Sequence, residues 1–179
     1  MSLLGASLLK EIVNREGITT PGTILDRMRE EVIATLNQRG SLGEQKDGMD
    51  MSVVSIDPSA LRCRYAGANS PLYLLRRGKL HAYAPDLMPV SYYEEMLPFQ
   101  TTEITLEPDD QLYLFSDGYA DQFGGESRKK FKYKTFRQII TEYADLSMSR
   151  QQQVLSDVIR EWQGKYEQTD DMVIVGIRI

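Results

Sequence analysis

Leu112-Tyr113-Leu114-Phe115-Ser116-Asp117-Gly118-Tyr119 is a run of four apolar residues that ends on a carboxylate and a glycine. At this length, with aromatic residues inside it and turn residues around it, the run predicts a buried strand rather than a helix. Asp117 then stands at the mouth of that strand. A carboxylate there, with a glycine behind it to admit a ligand or a second backbone, suits a hard divalent cation such as Mg²⁺ or Mn²⁺. Asp-Gly is also a common turn dipeptide, so a plain turn aspartate is the competing reading.

A second acidic pair shifts the balance. Asp170-Asp171 lies just before Met172 to Ile179, which reads as the closing strand. If the two strands are antiparallel neighbours, the end of the first lies beside the start of the second and their carboxylates converge. Converging carboxylates repel unless a cation or a shared proton sits between them. A cation held this way activates water and neutralises phosphoryl oxygens.

Working outward from this pair, the spacing of Leu4, Leu8 and Ile12, with Leu9 and Val13 beside them, predicts an amphipathic helix over residues 3–14 that Gly17 closes. Thr20-Pro21 opens a second helix, with a capping hydroxyl and a first-turn proline, whose buried stripe is Ile24, Met28 and Val32. A polar connection from Arg39 to Gly48 leads to strands over Met49–Ile56, Leu61–Tyr65, Leu72–Leu75 and Leu80–Tyr83, joined by short turns as an antiparallel meander. Residues 84–100 read as a surface loop. Thr102–Leu106 and Gln111–Phe115 are two more strands, with Asp109-Asp110 in the turn between them. Beyond Gly124-Gly125 come two helices. The first carries Phe136, Ile139, Ile140 and Tyr143; the second starts at a Ser149/Gln152 capping box and buries Leu155, Ile159 and Trp162. Grouped strands flanked by grouped helices give an α+β layered fold in one domain over residues 1–179.

Composition narrows the function classes. A formal net charge of −5 argues against a general nucleic-acid binder. The one basic cluster, Arg128-Lys129-Lys130 with Lys132 and Lys134, reads as solvated surface or as a site for an acidic or phosphorylated partner. Cys63 is the single cysteine, which rules out an internal disulfide and a cysteine-rich zinc site. It alternates with Arg62 and Arg64 and reads as an inward strand residue. No apolar run reaches membrane-spanning length and no secretory leader is visible, so a cytoplasmic protein without membrane contact is expected.

Four motifs then carry a resemblance: Lys46-Asp47-Gly48-Met49-Asp50, Tyr65-Ala66-Gly67-Ala68-Asn69-Ser70-Pro71-Leu72, Leu114-Phe115-Ser116-Asp117-Gly118 and Gln168-Thr169-Asp170-Asp171-Met172. In order and spacing they resemble the bacterial SpoIIE-like branch of the metal-dependent (PPM) serine/threonine protein phosphatases. The resemblance implies a four-layer α/β/β/α sandwich of mainly antiparallel sheets with a two-metal centre of Mg²⁺ or Mn²⁺. There a metal-bridging hydroxide attacks a phosphoserine or phosphothreonine. By position it implies Asp117 and Asp170 as metal ligands, Asp171 coordinating or supporting beside them, and Asn69 bordering the substrate. The implied substrate is a phosphorylated regulatory protein such as an anti-sigma-factor antagonist.

Members of that branch open with strands carrying a bridging carboxylate and a Gly-His-Gly-like turn, and neither precedes the helix at Ser2. The expectation is therefore an N-terminally truncated domain with little or no activity and an unpaired sheet edge prone to self-association. Haloacid-dehalogenase-like phosphatases also put an aspartate after an apolar strand, but they need a second one two residues on, where this chain has Tyr119. A response-regulator receiver would need alternating strands and helices. The remaining alternative is a non-catalytic binding module that keeps the phosphatase fold.

Overall fold

The computed structural model describes residues 1–40 and 47–179, so most of the Arg39–Gly48 connection, including Lys46, lies outside the described residues. The chain is mixed α+β with antiparallel sheets, and it forms two compact units: Met1–Leu72 with Ala84–Leu106, and Tyr73–Tyr83 with Glu107–Ile179.

In the first unit, β1 (Met51–Asp57), β2 (Arg62–Ala68) and β5 (Thr102–Thr105) form an antiparallel sheet in the order β1-β2-β5. Helix α2 (Pro21–Thr35) packs on β1 and β2, and α1 (Ser2–Asn14) packs on α2. Both helical stripes bury as their spacing predicts: Leu8 and Ile12 from α1, and Ile24, Leu25, Met28 and Val32 from α2, enclose a core with Ala66, Ala68 and Val90. Thr20 stands at the start of α2 but makes no side-chain cap. Thr101 Oγ1 replaces it, accepting from the Gly22 N–H at 2.9 Å. Residues 84–100 are not a mere surface loop, because Met88, Val90, Ser91 and Phe99 are buried and Val90 bridges Met49. Cys63 faces inward, and burial pushes its thiol up to about 11, which keeps it neutral and unreactive.

A second sheet, all of it but Leu72 in the second unit, holds β3 (Leu72–Arg76), β4 (Lys79–Tyr83), β6 (Gln111–Phe115) and β9 (Ile174–Arg178) in the order β4-β3-β6-β9. The expected single meander is thus divided between two sheets, with the change of sheet at Asn69–Pro71. The β3–β4 hairpin turns on Arg77 and Gly78, both at positive φ, the geometry of a tight two-residue turn. Around this sheet come α3 (Gly118–Asp121), a short hairpin of β7 (Phe123–Gly124) and β8 (Lys129–Lys130), α4 (Tyr133–Glu142) and α5 (Met148–Gln163). The cap of α5 is Ser147, whose hydroxyl accepts from the Arg150 N–H, and not Ser149, which lies inside the helix. Phe136, Ile139 and Ile140 bury from α4 as expected, while Trp162 is only partly buried. Among the described residues no helix is long and apolar enough to cross a membrane.

Candidate metal centre

Strands β6 and β9 are antiparallel neighbours in the register Leu112↔Ile177, Leu114↔Val175 and Phe115↔Ile174. The adjacency needed to bring Asp117 toward Asp170-Asp171 is therefore present. Beyond the last ladder pair, Ser116 extends the contact. Its N–H donates to the Val173 carbonyl at 2.9 Å, and its hydroxyl donates to the Asp171 carbonyl at 2.7 Å while accepting from the Val173 N–H at 2.9 Å. Gly118 completes the approach: a Cβ there would lie 2.4 Å from the Asp171 carbonyl oxygen, so only glycine lets the two backbones meet.

Asp117 occupies the N-cap of α3 but makes no side-chain cap. Its carboxylate is exposed, with no hydrogen bond or ion pair among the described residues. A turn or capping aspartate would spend that carboxylate on a backbone N–H. Asp170 and Asp171 are exposed as well, and Asp170 Oδ1 accepts from the Asp171 N–H at 2.7 Å, fixing the bend of the backbone between them. The side-chain oxygens on offer are hard donors of the kind Mg²⁺ and Mn²⁺ take. They come from two chain segments, and among the described residues no group of three or more His, Cys, Asp or Glu side chains stands close enough to hold a metal ion. The donor chemistry fits such a cation, and water would have to fill most of its shell.

Asn69 belongs to the first unit. Its φ is +54°, its Nδ2 donates to Asp50 Oδ1 at 2.9 Å, and its N–H donates to the Asp86 carbonyl at 2.9 Å, so it shapes the corner after β2.

Two residues support the acidic segment in a role that nothing in the sequence signals, although Ser116 stands in the motif around Asp117. One is Ser116. The other is Gln122, fully buried, whose Nε2 donates to the Glu167 carbonyl at 2.9 Å and whose Oε1 accepts from the Thr169 N–H at 3.3 Å. Gln122 thereby holds the stretch leading into Asp170. Behind it, Tyr119 packs edge-on to Phe131, which in turn meets Trp162 edge-on, with ring centroids 5.3 and 5.6 Å apart. Tyr119 also donates to the Leu155 carbonyl at 2.8 Å, and burial pushes its phenol well above the usual range. Aromatic pairs of this kind contribute about 0.5–1.5 kcal/mol each beyond their burial. They give the loop after β6 a firm floor.

The fold has close counterparts. Over 99% of this chain and 68% of the other, the chain superposes on the SiaA-PP2C domain of Pseudomonas aeruginosa with a TM-score of 0.87 at 22% identity. The phosphatase domain of SpoIIE from Bacillus subtilis, from a manganese-presoaked sample, matches with a TM-score of 0.61 at 15% identity over 98% of this chain and 73% of that one. RsbX in complex with magnesium matches with a TM-score of 0.60 at 13% identity over 96% and 71%. A comparison with curated protein sequences returned no match. The family model for Stage II sporulation protein E matches residues 1–179, and the chain therefore belongs to the SpoIIE family, with a fold similar to that of the PP2C phosphatase domain of SiaA.

Proposed function

We propose that this domain hydrolyses phosphoserine or phosphothreonine on a regulatory protein in the cytoplasm, such as an anti-sigma-factor antagonist, with Mg²⁺ or Mn²⁺ held by Asp117 and Asp170 and with Asp171 assisting. The observation that carries this reading is the unspent Asp117 carboxylate, set against the Asp170-Asp171 backbone by Gly118. A divalent cation bound there supplies a Lewis acid for phosphoryl oxygen and lowers the pKa of water. The chain's own part is to hold that charge and keep its ligands in place. Asp117 and Asp170 present oxygens from the two strand ends, and Asp170 also braces the Asp171 N–H. Ser116 and Gln122 fix the backbone that carries them.

Among the described residues the proposed ligands come from two segments, and no group of three or more His, Cys, Asp or Glu side chains stands close enough to hold a metal ion, so a second cation has no fixed place there. We therefore propose that the 179-residue chain alone turns over slowly. The same observation supports a second reading, a binding module that keeps the phosphatase fold without catalysis. Phosphate release from a phosphoserine peptide in Mn²⁺, together with Mn²⁺ titration, separates them. Metal binding with slow release that is lost in Asp117→Asn supports the phosphatase. Metal binding with no release supports the module, and no metal binding defeats the phosphatase reading. A rate near about 10 s⁻¹, ordinary for an enzyme, that vanishes in Asp117→Asn would overturn the slow-turnover claim.

A further inference from the structure

We propose that the β7–β8 hairpin and the start of α4 form a cationic docking surface for an acidic segment of a partner protein. That this partner is the phosphorylated substrate rests on the phosphatase reading; the surface itself does not.

Residues 123–134 carry five cations, Arg128, Lys129, Lys130, Lys132 and Lys134, and one carboxylate, Glu126. All five cations are exposed. Lys130 is paired with Asp121 at 2.8 Å, and Arg128 lies over the rings of Phe123 and Tyr166 at 5.9 and 5.8 Å. Lys129, Lys132 and Lys134 have no hydrogen bond or ion pair among the described residues. In a chain of net charge −5, three unneutralised ammonium groups within six residues make a local field of the opposite sign.

The surface is built rather than loose. Phe131 is buried between the Tyr119 and Trp162 rings, and its N–H donates to the Gln122 carbonyl at 2.9 Å. The Lys132 N–H donates to the Ala120 carbonyl at 2.7 Å, which ties the cations to α3, the helix that begins just after Asp117. Lys132 has φ 76° and ψ 145°, a conformation that glycine alone adopts without strain. A lysine held in a glycine's conformation, with its ammonium unspent, supports a role for that side chain outside the fold.

The chemistry favours a short acidic protein segment over nucleic acid. The hairpin strands are two residues each, too short a track for an extended polyanion, and the acidic remainder of the chain would repel one. The Tyr166 ring, which could otherwise stack a base, is covered by Arg128 and by Lys165, whose Nζ lies 5.9 Å from its centroid.

The test is fluorescence anisotropy on the whole chain in EDTA, with a labelled peptide containing six Asp or Glu residues. A matched Asn/Gln peptide and a single-stranded 12-nucleotide DNA serve as comparisons. The acidic peptide is expected to bind, to weaken as salt rises, and to lose roughly tenfold in affinity in the triple variant Lys129→Glu, Lys132→Glu, Lys134→Glu with the melting temperature unchanged. Lys132→Gly separates side chain from backbone: affinity falls while the melting temperature holds or rises. Equal binding of the acidic and amide peptides, wild-type affinity in the triple variant, or tighter binding of the DNA would each overturn the proposal. Because no turnover is measured, a chain that never releases phosphate still gives the expected binding if the surface is real.

Discussion

The Ser116 hydroxyl donates to the Asp171 carbonyl at 2.7 Å and accepts from the Val173 N–H at 2.9 Å. It thereby pins the start of β9 to the end of β6, and with it the distance between Asp117 and the acidic pair. Ser116→Ala removes both bonds and leaves the Asp171 carbonyl and the Val173 N–H to water. The expected cost is about 1–2 kcal/mol in urea unfolding. Mn²⁺ affinity should fall with it, and Ser116→Thr, which keeps the hydroxyl, should restore most of that affinity.

Gly118→Ala tests the backbone approach. The added Cβ meets a carbonyl oxygen rather than a movable side chain, so Asp170-Asp171 must shift away from α3. Overpacking of this kind costs about 1–3 kcal/mol. The variant should fold with a lowered melting temperature and bind Mn²⁺ more weakly than its loss of stability explains.

Asp110 gives the second unit a pH dependence. The residue is buried, yet Arg76 Nε and Nη2 donate to it at 2.8 and 2.6 Å and the Glu107 N–H donates at 2.8 Å. Burial pushes its pKa up, but the Arg76 guanidinium and the backbone donor together outweigh it and hold the carboxyl below the usual range. A depressed folded pKa contributes stability that is fully present above the unfolded value, near 4, and is lost as pH falls through the folded value. Asp110→Asn should cost about 1.5–3 kcal/mol at pH 7. The urea midpoints of variant and wild type should draw together below about pH 4. Parallel curves down to pH 2 would contradict this.

Strand β9 is an edge of its sheet among the described residues, with Val173 and Val175 54% and 47% exposed. It borders a cavity of about 610 Å³ lined by Tyr113, Gln151, Leu155, Ile174 and Gly176 among others. An apolar free edge invites pairing with another chain. Light scattering should show mass rising with concentration across the micromolar range, and Val175→Lys should suppress the rise. A constant monomer mass would count against self-association.

What the sequence disclosed follows from how local each signal is. The stripes Ile24-Met28-Val32 and Phe136-Ile139-Ile140 and the run Leu112–Phe115 repeat within a few residues, and all three bury as their spacing predicts, Leu114 only in part. The approach of Asp117 to Asp170-Asp171 was legible because each acid sits at an end of a recognisable strand, leaving only the pairing to be found. The bracing role of Ser116 and Gln122 gave no sign, since a serine or glutamine bonded to backbone carbonyls some 45 to 55 residues away has no local pattern. Asp110 read as a turn residue because its partner, Arg76, lies on another strand. The sequence favours Ser149 over Ser147 as the α5 cap because both precede good helix formers, and only the hydrogen bond from the Arg150 N–H distinguishes them. Strands of two residues, β7 and β8, are too short for alternation to register.

The most direct test of the account is isothermal titration of Mn²⁺ into the wild-type chain and into Asp117→Asn, with Asp110→Asn as a control of equal charge change away from the site. The account predicts that the wild type binds, that the control binds alike, and that Asp117→Asn weakens binding at least roughly tenfold, as expected when a hard-cation site loses a principal charged ligand. Equal Mn²⁺ affinity in wild type and Asp117→Asn would contradict it.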